Sequence, residues 1–339
     1  MSTRPVAPHM DGTARTVKTG GFFLPGDAQD PTTQPWQLGP AWVHWEAPAA
    51  GSTALPLVFV HGGGGQSTDW LGVSAAAPGW AIQAVQAGFP VYLLDRPGHG
   101  RSPYDPARLG ERTPFPAYAG ASAVFAPVAA EGTDVSNPAW RWGREPGSPQ
   151  LDALVASSSG MLTDTALGQE LDARRLVDLL KLIGPCVVIT HSAGAAAGWL
   201  GASRVPELVQ AVIAVEPIGP PFRDLGARGS LEYGATAVPL DGERLDGVPV
   251  LVVSGDSSGR AEADMETTGF LREKGAAATH LQLGNEGIAG NGHGLIFEAN
   301  NHEIFAKVLD WLEGLQPDHH GSPQRQQDQQ IINLEGQKC

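Results

Sequence analysis

The chain is predicted to fold as an α/β protein, a mostly parallel central sheet flanked by helices, and three observations predict it. Near-continuous apolar runs, among them Leu57-Val58-Phe59-Val60, Val91-Tyr92-Leu93-Leu94 and Cys186-Val187-Val188-Ile189, read as strands buried on both faces. Segments of helical spacing alternate with them, as Leu176, Leu179, Leu180 and Ile183 do. Two of the runs end in small-residue turns, His61-Gly62-Gly63-Gly64-Gly65 and Thr190-His191-Ser192-Ala193-Gly194.

The elements follow in order. Thr16 to Leu24 and Ala41 to Trp45 carry β-branched and aromatic residues and read as an antiparallel edge pair joined by a Pro/Asp/Gln-rich link. The strand Leu55 to Val60 comes next, then a helix ending near Gly88 and the strand Val91 to Leu94. From Arg101 to Leu167 the chain is rich in Pro, Ala and aromatics, and a stretch of about 65 residues is too long for an ordinary connection, so it is assigned to a cap. Gln169 to Ile183 is a helix stopped by Gly184-Pro185. The strand from Cys186, a small-residue helix and the strand Ala211 to Val215 follow. Pro217 to Asp246 is a second irregular excursion and a second cap. Val248 to Val253 and His280 to Leu283 read as strands, and Ile304, Phe305, Val308, Leu309 and Leu312 mark a last amphipathic helix. This organisation predicts one domain over residues 1–315, with cap insertions at about 101–167 and 217–246, and a Gln-rich polar tail, 316–339, for which disorder is the expectation. Within the tail, Ile331-Ile332 would suit docking on a second copy, as in a homodimer.

Composition limits the partners. With 42% apolar residues in 339, the chain has ample material for a core. Its 22 Lys and Arg against 36 Asp and Glu give a net charge of −14, which disfavours nucleic acid and anionic membrane surfaces. Cys186 and Cys339 provide neither a disulfide framework nor a thiolate metal site, and His319-His320 lacks further ligands. No run of about 18 apolar residues occurs, so no bilayer-spanning segment is expected. Met1 to Gly20 has no apolar signal core, and the expectation is a cytoplasmic protein.

Ser192 lies at the turn between an apolar strand and a small-residue helix, which is the sequence form of a nucleophile elbow with Thr190 in place of the first glycine. A serine hydroxyl is a poor nucleophile unless a histidine takes its proton and a carboxylate orients that imidazole. His293, in Gly290-Asn291-Gly292-His293-Gly294 just before the last helix, is the best base of the ten histidines. Two acids compete. Glu216 ends an apolar strand as an isolated charge, whereas Asp256 sits in a polar loop after the next strand, and the cost of burying an unpartnered charge favours Glu216 without excluding Asp256. Gly63 and Ala193 could present backbone N–H groups to a developing oxyanion. Gly64, His191, Trp140 and Trp142 are expected to line the substrate pocket. No Lys-Ser or Lys-Thr follows the glycines, which rules out a phosphate-binding P-loop.

With these residues in place the chain resembles the α/β-hydrolase superfamily, and most of all a bacterial and fungal subgroup of esterases whose triad acid is a Glu after strand six. Val60-His61-Gly62-Gly63-Gly64, Thr190-His191-Ser192, Gly198-Trp199-Leu200, Val215-Glu216-Pro217, Gly219-Pro220-Pro221-Phe222 and Gly290-Asn291-Gly292-His293 carry the likeness, which spans roughly Val17 to Leu315. It implies Ser192 as nucleophile, His293 as base, Glu216 as acid and Gly63 and Ala193 as oxyanion donors. The expected activity is therefore a cofactor-free serine esterase acting on a neutral, apolar or aromatic ester or lactone. A second reading keeps the three side chains for acyl transfer, C–C cleavage, or a lyase or cyclase step, and a third makes the chain a ligand receptor on the same fold.

Overall fold

The computed structural model describes residues 14–29, 35–72, 77–127, 137–219 and 245–315. By its internal contacts the chain divides into two units, Met1–Ile304 and Phe305–Cys339. The first unit carries the sheet. Strands β1 (Val17–Leu24), β2 (Asp27–Gln29), β3 (Trp36–Leu38), β4 (Ala41–Pro48) and β5 (Leu57–Val60) precede helix α1 (Trp80–Gln86) and strand β6 (Val91–Asp95). Three cap helices follow, α2 (Pro106–Leu109), α3 (Tyr118–Phe125) and α4 (Pro149–Ser157). Then come α5 (Thr165–Ile183), β7 (Cys186–His191), α6 (Ala195–Arg204), β8 (Val209–Val215), β9 (Pro249–Ser254), α7 (Ala261–Glu273) and β10 (Ala277–Gln282). Helix α8 (Asn301–Gly314) begins in the first unit and continues into the second.

Eight strands form one sheet in the order β1-β4-β6-β5-β7-β8-β9-β10. The pairs β1·β4 and β4·β6 are antiparallel and the rest are parallel, so the expected edge pair is present and the sheet is mostly parallel. Between the edge strands, the polar link forms a separate small hairpin, β2·β3, that its composition does not announce. Every residue of β5 and β7 is buried, as their unbroken apolar runs require. The core on one face of the sheet joins Val58, Val188 and Val212 to Leu176 and Leu180 of α5 and to Trp199 and Leu200 of α6. Helix α5 starts where Asp164 accepts the Leu167 N–H at 2.9 Å, a side-chain N-cap, and ends at Gly184.

Chain order reverses between β6·β5 and β5·β7, and the crevice at the carboxyl ends of those strands is where open α/β sheets bind ligands. The first cap reaches over it. Its two ends are tied by the bridge between Arg112 and Leu162 and by the bond from Thr113 N–H to the Met161 carbonyl at 2.8 Å. Residues 220–244, most of the second expected cap, and 316–339, the expected tail with Ile331-Ile332 and His319-His320, lie outside the described residues. Among the described residues no helix is long and apolar enough to cross a membrane.

Candidate active site

Strand β7 delivers Ser192 at its carboxyl end. Ser192 and Glu216 are the two non-glycine residues with positive φ among the described residues, +52° and +48°. Such backbone costs about 1–3 kcal/mol per residue and persists where the surroundings over-determine it. Each follows the last residue of a parallel strand, β7 and β8, and each turns its side chain toward the same loop. The tightness of the elbow is set by its neighbours. A Cβ on Gly194 would lie 2.5 Å from the His61 carbonyl oxygen, and one on Gly63 would lie 2.6 Å from Met161 Sδ and 3.4 Å from the Ala193 Cβ. Only glycine lets the 61–65 loop and the elbow approach this closely. Thr190, which replaces the first glycine of the usual motif, is accommodated because Gly198 faces it: a Cβ there would meet Thr190 Cγ2 at 2.8 Å.

Three side chains distant in sequence converge. Ser192 Oγ lies 3.0 Å from His293 Nε2, and His293 Nδ1 lies 3.2 Å from Glu216 Oε2. The carboxylate only accepts, so Nδ1 carries the proton and Nε2 is free to accept from the serine hydroxyl. Glu216 is fully buried. Its charge is met by the Gly255 N–H, which donates to Oε1 at 2.5 Å, and by Arg260, whose Nε lies 3.2 Å from Oε2. The Arg260 guanidinium also donates to the Pro217 carbonyl, so it clamps the turn that carries the carboxylate. Asp256, the competing acid, is exposed and accepts from the Gly290 N–H at 3.2 Å, which braces the histidine loop from outside.

The loop around His293 is held by groups that sequence reasoning missed. Glu298 is fully buried, and it accepts Asn137 Nδ2–H at 2.7 Å, the Gly292 N–H at 3.0 Å and Asn291 Nδ2–H at 2.6 Å. Burial pushes its carboxyl up to about 7 against the opposing pull of those bonds. Phe125 of α3 stacks on the imidazole, with centroids 5.8 Å apart and planes 27° apart. The signal available for Glu298 is the same as for Glu216: one charge at the end of the apolar run Leu295-Ile296-Phe297.

The other expected residues are placed as follows. His191 is buried behind Ser192 and donates Nε2–H to the His293 carbonyl at 2.8 Å; burial, and then the neighbouring His293, lower its pKa to about 3. Gly64 is buried, and its carbonyl accepts from the Ser159 N–H at 2.6 Å, which joins the glycine loop to the cap. His61 accepts the Arg96 N–H at Nε2, 3.1 Å, and its Nδ1 faces the Gly62 carbonyl. A cavity of about 200 Å³ opens beside Ala193, lined also by Arg96, His99, Met161, Asp172 and Ile218. Trp140, Trp142, Gly64 and His191 are not among the residues that border the cavity beside the elbow. Trp140 is 2% exposed, packs edge-on against Trp142 at 5.0 Å and donates its Nε1–H to the Gly143 carbonyl, so it serves as the core of the cap.

A family model described as the alpha/beta hydrolase fold matches residues 56–230. A protein of Fungal sp. (strain ATCC 74256) named probable secreted lipase phiG is 30% identical over 301 residues, covering 76% of this chain and 81% of its own. A solved structure described as that of a novel bacterial esterase aligns with 94% of this chain and 100% of its own at a TM-score of 0.65 and 17% identity, a likeness of fold. The fungal relative's description as secreted does not fit the cytoplasmic expectation.

Proposed function

The chain belongs to the α/β-hydrolase family, and we propose that within it the protein is a serine carboxylic-ester hydrolase acting on a neutral ester or lactone through an acyl-enzyme. The observation that carries this reading is the hydrogen-bonded line from Ser192 Oγ to His293 Nε2 at 3.0 Å and from His293 Nδ1 to Glu216 Oε2 at 3.2 Å. The likeness to a probable secreted lipase supports lipase- or esterase-type chemistry.

Ser192 attacks the acyl carbon as its proton passes to His293 Nε2. Glu216 holds the imidazole in the Nδ1–H tautomer and offsets the charge of the imidazolium. The N–H groups of Ala193 and Gly63 receive the negative charge that develops on the carbonyl oxygen, and removing one such donor costs about 10²–10³ in rate. His293 then returns the proton to the leaving alcohol, and a water activated by the same imidazole releases the acid and restores Ser192. A Glu in the acid position is supported by its burial and by the separate employment of Asp256.

The test is turnover of a graded set of p-nitrophenyl esters and lactones in isotopically labelled water. One solvent oxygen in each released acid is the expected result. Products without solvent oxygen would overturn hydrolysis in favour of acyl transfer or C–C chemistry.

A further inference from the structure

The first cap presses one side chain onto the glycine loop, and the proton relay does not use it. Ser159 donates its N–H to the Gly64 carbonyl at 2.6 Å. Two residues later Met161 is held twice by Thr113: its N–H donates to Thr113 Oγ1 at 3.0 Å, and its carbonyl accepts the Thr113 N–H at 2.8 Å. Between them, a Cβ on Gly160 would run into the Thr113 carbonyl oxygen. Residues 159–161 are thus wedged between the glycine loop and the opposite segment of the cap. From there the Met161 thioether reaches Gly63. A Cβ on Gly63 would meet Sδ at 2.6 Å, Cε at 3.6 Å and the Ala193 Cβ at 3.4 Å, so the sulfur lies against one oxyanion-donor residue on the side that the other also faces.

Space for a ligand remains beside it. Met161 is half-buried and Gly63 is exposed. Met161 also borders the cavity of about 200 Å³ beside Ala193, with Pro97, Leu162, Gly168 and Ile218 on the same lining. One residue of the cap therefore touches both the oxyanion loop and the cavity.

Tetrahedral geometry assigns that cavity to one arm of the substrate. A carbon attacked by Ser192 Oγ carries three other groups. Its oxyanion faces the N–H groups of Gly63 and Ala193, and its leaving oxygen faces His293 Nε2. The acyl arm takes the remaining direction. Ala193 lines the cavity and His293 does not, which puts the cavity on the acyl side. Because the thioether sits against Gly63, the acyl arm meets it at its first carbons. A straight chain passes, and a branch on the carbon next to the carbonyl collides with the sulfur.

We infer, on the ester-hydrolase reading, that Met161 is a specificity-determining residue, which admits straight acyl chains to the cavity and rejects acyl groups branched next to the carbonyl. One misplaced methyl group in an apolar pocket changes kcat/KM by about 10–200-fold. An unbranched thioether yields more than a branched side chain, so the lower end of that range applies.

The experiment compares p-nitrophenyl α-methylbutanoate with its straight-chain isomer, p-nitrophenyl pentanoate, on the wild type, Met161→Ala, Met161→Val and Met161→Leu. The readout is the branched-to-straight ratio of kcat/KM in each variant relative to the wild type, which cancels the intrinsic reactivity of the esters and any general loss of activity. The ratio is expected to rise by about tenfold or more in Met161→Ala, to rise less in Met161→Val, and to stay within about threefold in Met161→Leu, whose volume is similar. Butyl and sec-butyl pentanoate place the branch on the alcohol instead, and their ratio is expected to stay within about threefold throughout. An unchanged acyl ratio in Met161→Ala overturns the assignment. So does a Met161→Leu ratio that rises as far as that of Met161→Ala, or an alcohol ratio that moves as far as the acyl ratio. Fluorophosphonate labelling of Ser192 separates the two readings. A labelled enzyme with an unchanged acyl ratio overturns the role of Met161 alone, and an unlabelled Ser192 overturns the esterase reading and that role with it.

Discussion

His191, one residue before Ser192, donates its Nε2–H to the backbone carbonyl of His293 at 2.8 Å, with the two rings 4.9 Å apart. The strand that presents the hydroxyl is thus bonded to the loop that presents the imidazole. Proton transfer to His293 favours a neutral His191 ring, since a second cation beside the imidazolium would oppose it. Burial supplies that neutrality.

The first prediction is a pH dependence of stability. The ordinary imidazole value is 6.5 and His191 is lowered to about 3, so between these values the unfolded chain binds the proton and the native one does not. Stability from this group is complete above 6.5 and is lost as pH falls toward 3. Denaturant titration across that window is expected to show a steeper acid loss in the wild type than in His191→Gln, by about 1.4 kcal/mol per pH unit for one proton. Equal slopes would show that His191 titrates normally.

The triad acid is tested by paired substitutions. Glu216→Gln keeps shape but cannot offset the imidazolium, and kcat/KM on a p-nitrophenyl ester is expected to fall by about 10³-fold or more. Asp256 is exposed and bonds only to the histidine loop's backbone, so Asp256→Asn is expected to stay within about threefold of wild type. Near-normal turnover in the Glu216 variant would reverse the assignment.

Glu298→Ala would leave Asn137, Asn291 and the Gly292 N–H without their buried acceptor. A loss of about 2–4 kcal/mol in unfolding free energy is expected. A drop in kcat larger than any change in KM should accompany it, because the loop that carries His293 loses its anchor. Thermal unfolding and steady-state kinetics check both, and a fully stable variant would remove Glu298 from this role.

Two glycines give opposite outcomes. In Gly194→Ala the new Cβ would press on the His61 and Val60 carbonyl oxygens at 2.5 and 2.9 Å, and destabilisation of about 2 kcal/mol or more is expected. Gly269 lies inside α7, and a methyl group added there would have no neighbour within 4 Å, so Gly269→Ala is expected to stabilise by about 0.5–1 kcal/mol. Calorimetry distinguishes them.

The relay is legible in the sequence because its parts sit where two local patterns meet. Ser192 and Glu216 each end an apolar strand, and His293 lies among glycines before a helix. Helix α7 carries no such mark, because its buried face includes Asp264, Thr267 and Thr268, which break the apolar stripe of an amphipathic helix. Strands β2 and β3 have three residues each, too few for alternation to register. Trp140 and Trp142 suggest a pocket wall by residue type alone, but their pairing depends on how the cap folds. That Arg96 and His99 border the cavity follows from the packing of α5 against the loop after β6, a tertiary fact without local signature.

Activation of Ser192 by His293 underlies every catalytic step proposed for this protein, and the rate of covalent labelling by a fluorophosphonate probe measures it without reference to any substrate. Ser192 is expected to be the modified residue in the wild type, with labelling slowed by about 10³-fold or more in His293→Ala and abolished in Ser192→Ala. Modification at another serine, or undiminished labelling of Ser192 in His293→Ala, would contradict it.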